Sequence, residues 1–379
     1  MTRILSKTHW LIFTGVLVVL VGANWTFFFH TPIHEWSDLA VNAIQIDRAK
    51  SLGEIHGNYS RFFFHHPGPA FFYWYAAFEW LWCDLLPTGL PPHVIHTLAG
   101  LVLQTGFFAL ALDLAATWIR HRLFVPLALV LGAIHYTAAG HAFLSIWPPH
   151  VLLMPFLAFW VACVSVACGR GRHLPWVLLA GSFLVRGHVA QPLFVLTLSV
   201  GAYACYWLRL WAKPTALANP WRAEPGPHLV AGALLVLFCV PLLLDLVGAA
   251  PSNFRAILVL LHRNSGDRKS TLQALLYFLS FFGYMRNQDV MFATVSPGSL
   301  VFLREQFWLL LAWVIVAAVG IVGLVRSRLG MPPEARAFLR TGAVFWVVTV
   351  VLCVIWGTFQ AGPMADFNGH FYFSVNYLL

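Results

Sequence analysis

The chain has 379 residues, 60% of them hydrophobic and 10% charged, with a formal net charge of +9. Soluble domains carry about a quarter charged residues, so this composition excludes a separate soluble domain. It predicts an all-α polytopic membrane protein with residues 1–379 as one transmembrane domain, because apolar runs near the roughly 20 residues that a hydrocarbon core requires recur along the chain. The basic residues stand in small groups between these runs, which is the pattern of membrane topology and argues against nucleic acid as a partner.

Arg3 and Lys7 precede a first apolar run from Trp10 to Phe29. The run is too long for a signal-peptide core and no small-residue cleavage site follows, so it reads as a retained first span with a cytoplasmic N-terminus. A polar outer loop, residues 30–92, comes next. Ser37 is placed to cap a short helix from Asp38 to about Leu52. Asp38 then stands in the first turn, either as a helix-end charge favoured by the dipole or as a catalytic carboxylate. Asn58-Tyr59-Ser60 fits a glycosylation sequon, which matters only in a secretory pathway.

Residues 61–86 read RFFFHHPGPAFFYWYAAFEWLWCDLL. If 70–86 spans the membrane, Arg120, Arg122, Arg170, Arg172 and the Arg326–Arg340 group fall outside. If it does not, every one of these groups falls inside, as the orientation rule demands. Dense aromatic rings suit the interface, and Glu79 and Asp84 are costly in hydrocarbon. Residues 67–86 are therefore predicted as a juxtamembrane helix on the outer face. Adjacent histidines rarely bite one ion together, so His65 and His66 do not favour a metal, and no cofactor is expected. Tyr59 and Arg61 read as substrate contacts or as partners for the acids of the loop.

Further apolar runs lie at 93–119, 123–143, 150–168, 174–190, 192–212 and 228–249, then at 272–284, 306–325 and 341–358. In SIWPPH, Pro148 and Pro149 stop a helix and bias Trp147 toward an extended conformation, giving a rigid outer turn. Sugar stacking by Trp147 or His150 is the lesser reading there. In SFLVRGHVAQP, Arg186 stands toward the outer end of a span that starts near Leu174. A charge at that depth either faces a polar cavity or snorkels to the headgroups. His188 either assists it or faces the interface. The second outer loop, 250–304, opens with an amphipathic segment ending in Arg263, Arg268 and Lys269, placed to rest on membrane lipids or meet a carrier phosphate. The run at 272–284 is short and stays outside. The chain stops at HFYFSVNYLL, either the start of a cut tenth span or a short last helix, for about nine or ten spans in all. The six cysteines read as packing residues rather than a disulfide framework.

The order of these features resembles the GT-C glycosyltransferases, among them the protein O-mannosyltransferases and the lipid A aminoarabinose transferases. EWSDLAVNAIQI resembles their acidic motif and YSRFFFHHPGPAFFYWY their juxtamembrane motif. The likeness covers about residues 1–190; beyond that only topology agrees. The family often pairs two acids, whereas Leu39 follows Asp38 here, so Glu35 takes the second role or none is needed. The resemblance implies transfer of a sugar from a polyprenyl-phosphate carrier to a glycan, lipid or protein acceptor at the outer face of a bacterial inner (plasma) membrane. Asp38 is then the general base. Arg186 holds the phosphate, with Glu35, Tyr59, Arg61, His65, His66 and His188 around the substrates. Phosphate is already a good leaving group, so a metal is not obligatory. The rival reading is non-enzymatic: a lipid or polysaccharide transporter, or an inactive GT-C-like scaffold. A transporter needs charges along a path near the midplane, with the inverted repeats typical of such folds. No repeat is visible, and the informative charges gather at helix ends.

Overall fold

The computed structural model describes residues 5–31, 35, 37–60, 62–86, 88–212, 219–248, 252–263, 266–283, 307–326, 331–360 and 364–378. It is all-α and 80% helical. The helices are α1 (Lys7–Ala23), α2 (Trp25–His30), α3 (Asp38–Lys50), α4 (Ala70–Glu79), α5 (Pro92–Ile119) and α6 (Phe124–Phe143). After them come α7 (Pro148–Val151), α8 (Leu153–Ala167), α9 (Leu174–Gly187), α10 (Gln191–Trp211), α11 (Pro220–Ala223) and α12 (Pro225–Gly248). The last are α13 (Asn253–Arg263), α14 (Thr271–Ser280), α15 (Phe307–Arg326), α16 (Pro333–Thr358) and α17 (Tyr372–Tyr377). Each apolar run read from the sequence carries a helix. Residues 284–304 of the second outer loop lie outside the described residues.

Among the described residues, five segments are long and apolar enough to cross a membrane: Pro92–Ile119, Pro148–Ala167, Gln191–Trp211, Pro225–Gly248 and Pro333–Thr358. They differ in burial. In the most apolar stretch of each, 94% of Pro148–Ala167 and 83% of Pro92–Ile119 are buried, against 11% of Pro225–Gly248. So α5 and α8 form the centre of the bundle, and α12 turns Leu229, Val236, Leu243 and Val247 outward. Apolar surface on that scale is what a lipid-facing helix presents.

Local chemistry explains where several elements start and stop. The run at 10–29 is not one helix. The Asn24 side chain donates to the Leu20 carbonyl and to the Tyr136 hydroxyl, and the chain breaks there between α1 and α2. An amide that competes for a helix carbonyl does this. α3 begins at Asp38 as expected, but Ser37 has a φ of 52° and its side chain makes no cap bond. Asp38 stands in the first turn, where the helix dipole favours an acid. Trp147 is extended as expected, while Pro148 and Pro149 start α7 instead of standing in a coil turn. Proline suits the first helical positions because its missing N–H costs nothing there. α14 opens on a reciprocal capping box between Ser270 and Gln273.

Contacts sort the helix ends into two groups. At one end Ser6 donates to Asp113, Arg120 pairs with Glu334 at 3.4 Å, and Arg170 lies 3.6 Å from the Trp118 ring. The opposite end gathers the start of α5, the turn at Trp147–His150, the close of α9 and the close of α12. α4 lies across that second end. Its Trp74 donates to the Ala99 carbonyl, Tyr75 faces Gly100, and Phe71 packs on Phe183 and beside Gly187. It therefore packs on the first part of α5 and on the close of α9. A six-residue π turn, Trp80–Leu85, completes the segment. The closing HFYFSVNYLL holds α17, which is buried. Ser374 donates to the Leu153 carbonyl at 2.6 Å and Asn376 to the Phe281 carbonyl at 2.7 Å.

Candidate functional site

The polar side chains of the α4 end fall into three neighbourhoods. The first is built on Arg186. It sits in the last turn of α9 and is 3% exposed. Its guanidinium lies directly against Gly68 of the HHPGP turn, where a Cβ would overlap it. Only glycine leaves that space. The ring of Phe238 lies 5.7 Å away. No carboxylate and no hydrogen-bond acceptor engages the guanidinium among the described residues.

Two imidazoles flank this contact in the sequence, His66 two residues before Gly68 and His188 two residues after Arg186. His66 Nδ1 accepts the Val189 N–H at 3.1 Å, and His188 Nδ1 accepts the Ala190 N–H at 3.1 Å. The rings stack at 4.9 Å. An acceptor at Nδ1 assigns the proton of each neutral ring to Nε2, so each presents an N–H donor. Burial, then the neighbouring His188 and His65, hold the His66 pKa well below the ordinary histidine value. This neighbourhood offers one fixed cation and two neutral donors, a set suited to an anion.

The second neighbourhood takes Tyr59 and His65, and its role is to dock a loop. Tyr59–Ser60 and Phe64–His65 form a small antiparallel ribbon that the sequence reading did not foresee. Asn253, at the start of α13, accepts the His65 N–H at 2.7 Å and donates to the His65 carbonyl at 2.8 Å. Asp245 accepts from the Asn253 and Phe254 amides and meets His56 Nε2 at 3.0 Å. Its carboxylate thereby caps α13. The His65 ring donates from Nδ1 to the Gly57 carbonyl at 3.1 Å and stacks on His56. Burial lowers its pKa. The adjacent histidines thus serve different partners: His65 faces the ribbon and His66 faces α9.

The third neighbourhood contains Glu35. Its Oε1 lies 3.8 Å from His96 Nδ1, and His96 Nε2 meets Glu79 Oε2 at 2.7 Å. Lys50 bridges Glu79 and Asp84 at 2.9 and 2.8 Å. The hydrogen bond from His96, with Lys50 against the opposing effect of burial, holds the Glu79 carboxyl down to about 2. Burial works against the charge on Lys50, but its bonds to Asp84 and Glu79 win and raise its pKa. Lys50 and His96 escaped the sequence reading. The available signal was two acids five residues apart on an aromatic helix, which require a cation from elsewhere.

Asp38 is exposed in the first turn of α3, with no hydrogen bond or ion pair to the described residues. Arg61 lies outside the described residues. The structure therefore stacks His66 on His188, sets Arg186 against Gly68 of the same turn, holds Tyr59 with His65, and sets Glu35 apart beside His96. No family model, no curated protein and no solved structure matches this chain.

Proposed function

We propose that the chain is a GT-C-like polytopic membrane protein of about nine or ten spans that transfers a sugar from a polyprenyl-phosphate carrier to an acceptor hydroxyl on its outer face. The observation that carries this reading is the buried guanidinium of Arg186, which no carboxylate engages among the described residues. Burying an ion costs several kcal/mol unless a counter-charge offsets it. Arginine presents a planar fork that matches phosphate oxygens. The Nε2–H groups of His66 and His188 add donors for the charge that grows on a departing phosphate. The opposite end fixes the proposed orientation. Arg120, Arg170 and the start of α16 gather there, and the positive-inside rule puts such a cluster in the cytoplasm. Arg186, Glu35 and Asp38 then belong to the outer side.

Asp38 is the proposed base that takes the acceptor proton. Glu35 is a second assignment with its own support, because its carboxylate faces His96. The test is sugar transfer and polyprenyl-phosphate binding in liposomes at matched expression. Arg186→Ala should weaken binding of polyprenyl phosphate, and Arg186→Lys should recover part of it. Asp38→Asn should leave binding intact and slow transfer by about 10²–10⁴, the usual cost of losing a positioned base. Near-normal transfer by Asp38→Asn removes that residue from the chemistry, and Glu35→Gln then decides the base. Binding without any transfer by the unaltered protein would favour the non-enzymatic reading. Unchanged binding in Arg186→Ala would return Arg186 to a snorkelling role.

A further inference from the structure

A cleft of ≈ 590 Å³ opens at the Arg120–Arg170 end of the bundle and is lined by none of the residues assigned above. Its walls include Tyr203, Trp207 and Trp211 from α10, and Asn219, Trp221 and Arg222 from α11. The walls are held by named bonds. Asn219 Oδ1 accepts the Trp221 N–H at 2.9 Å and caps α11. His228 donates from Nδ1 to the Glu224 carbonyl at 2.7 Å and accepts the Tyr203 hydroxyl at Nε2, 3.2 Å away. The Tyr206 hydroxyl donates to Glu224 at 2.9 Å, and the Trp221 ring lies 4.8 Å from that of His228. α11 is thus pinned to both α10 and α12, and the cleft is a built feature. Gly171, beside Glu224 and Tyr206, ties it to the turn that carries Arg170 and Arg172.

Two further observations say what suits the cleft. The first is charge. Arg120, Arg170, Arg172, Arg209 and Arg222 stand at this end of the bundle. The described acids there are already engaged: Asp113 by Ser6, Glu224 by Tyr206 and Glu334 by Arg120. The net field favours an anion. The second is an apolar track. Leu196, Val200, Trp207 and Trp211 are all exposed and, with Tyr203, recur at three- or four-residue steps. Such spacing puts them on one face of a helix. From 196 to 211 the track runs about 22 Å at the α-helical rise. Half of a roughly 30 Å hydrocarbon core is about 15 Å, so the track is long enough for an acyl chain. Tryptophan and tyrosine rings with an arginine at the mouth match the headgroup level of a bilayer, where amphipathic rings settle.

We propose that this cleft binds the headgroup of an anionic phospholipid of the adjoining leaflet, with Arg222 facing the phosphate and one acyl chain lying along the Leu196–Trp211 face of α10. The inference rests on the membrane-spanning reading and is independent of sugar transfer. A protein with no transferase activity would still bind this lipid. A free phosphate ester would use Arg222 but not the apolar track, which is why the occupant is a lipid.

The test is native mass spectrometry of the full chain in detergent, with phosphatidylglycerol or phosphatidylcholine added. One phosphatidylglycerol per chain should be retained in preference to phosphatidylcholine. A basic residue near a membrane surface contributes enough that Arg222→Gln should lower occupancy about fivefold. Val200→Asp should also lower it, by placing an acid on the track. Arg122→Gln, exposed at the same end but outside the cleft walls, should leave it unchanged. Equal retention of the two lipids, or an Arg222→Gln protein that binds like the original, would overturn the proposal and leave only annular lipid. Displacement of the lipid by an equal concentration of glycerol 3-phosphate would also overturn it, in favour of a small phosphate ester.

Discussion

Arg186 and His66 meet the cost of burial in different ways. A guanidinium stays charged at any working pH, so Arg186 retains a charge that burial makes costly. An imidazole can shed its proton, and His66 does so, because burial and His188 lower its pKa. This has a consequence for stability. The unfolded chain takes up a proton at this histidine near pH 6.5, while the folded chain resists it. The contribution of His66 is therefore fully present above about pH 6.5 and is lost as the pH falls below that value. Thermal unfolding of the purified protein should reach a plateau above neutrality and decline on acidification. His66→Gln, which can still accept the Val189 N–H, should flatten part of that decline. An unchanged slope would place the acid sensitivity on other groups. Arg186 could be singled out from the sequence because a lone charge in an apolar run announces itself. Its dependence on Gly68 could not, since that contact closes a gap of well over a hundred residues.

At the level of elements, α3, α4 and the π turn are joined by ions as well as by apolar packing. Lys50 reaches both Glu79 and Asp84, yet the two arms are unequal. The Asp84 side chain is 46% exposed, and exposed pairs typically contribute only about 0–1 kcal/mol. Glu79 is 14% exposed and also holds buried His96. Hydrogen bonds to charged groups contribute about 1.5–3 kcal/mol, so losing this carboxylate costs more. Glu79→Gln should lower the melting temperature clearly more than Asp84→Asn. Equal shifts would mean that the His96 bond carries little. The presence of α3 followed from the Ser37–Asp38 start signal, and that of α4 from aromatic density and the placement of the basic groups. The clamp between them did not, because its partners lie 29 and 17 residues apart in the chain.

For the molecule as a whole, the proposed orientation yields a labelling pattern. Leu52 and Phe63 are the exposed tips of the loop at the α4 end, at 79% and 85% exposure, while Asn58 in the same loop is buried. In a chain with Cys83 replaced by serine, Leu52→Cys and Phe63→Cys should react with an impermeant thiol reagent from outside. Arg122→Cys, at the basic end, should react only after the membrane is opened. Labelling of position 122 from outside would invert the molecule and move Arg186 to the cytoplasmic side.

Composition and run length determined the helices themselves. A backbone in hydrocarbon must satisfy its own hydrogen bonds, so apolar runs of sufficient length become helices whatever their neighbours. Run length also placed Arg186 near a helix end, while the grouping of the basic residues and the aromatic density kept 70–86 apart as a separate segment. Tertiary structure decided what those elements do to one another. It put α5 and α8 at the centre and α12 at the rim, which hydropathy cannot distinguish because all three are apolar. It parted His65 from His66, although they are neighbours in the chain, by giving each a partner more than a hundred residues away: Asn253 for the first and Val189 for the second. It gave Glu79 to Lys50 and His96, and left Asp38 outside all three polar neighbourhoods. The physical reason is one of range. Helix formation is a local bargain between a backbone and its solvent, whereas a buried charge or imidazole is satisfied only by groups that folding carries to it.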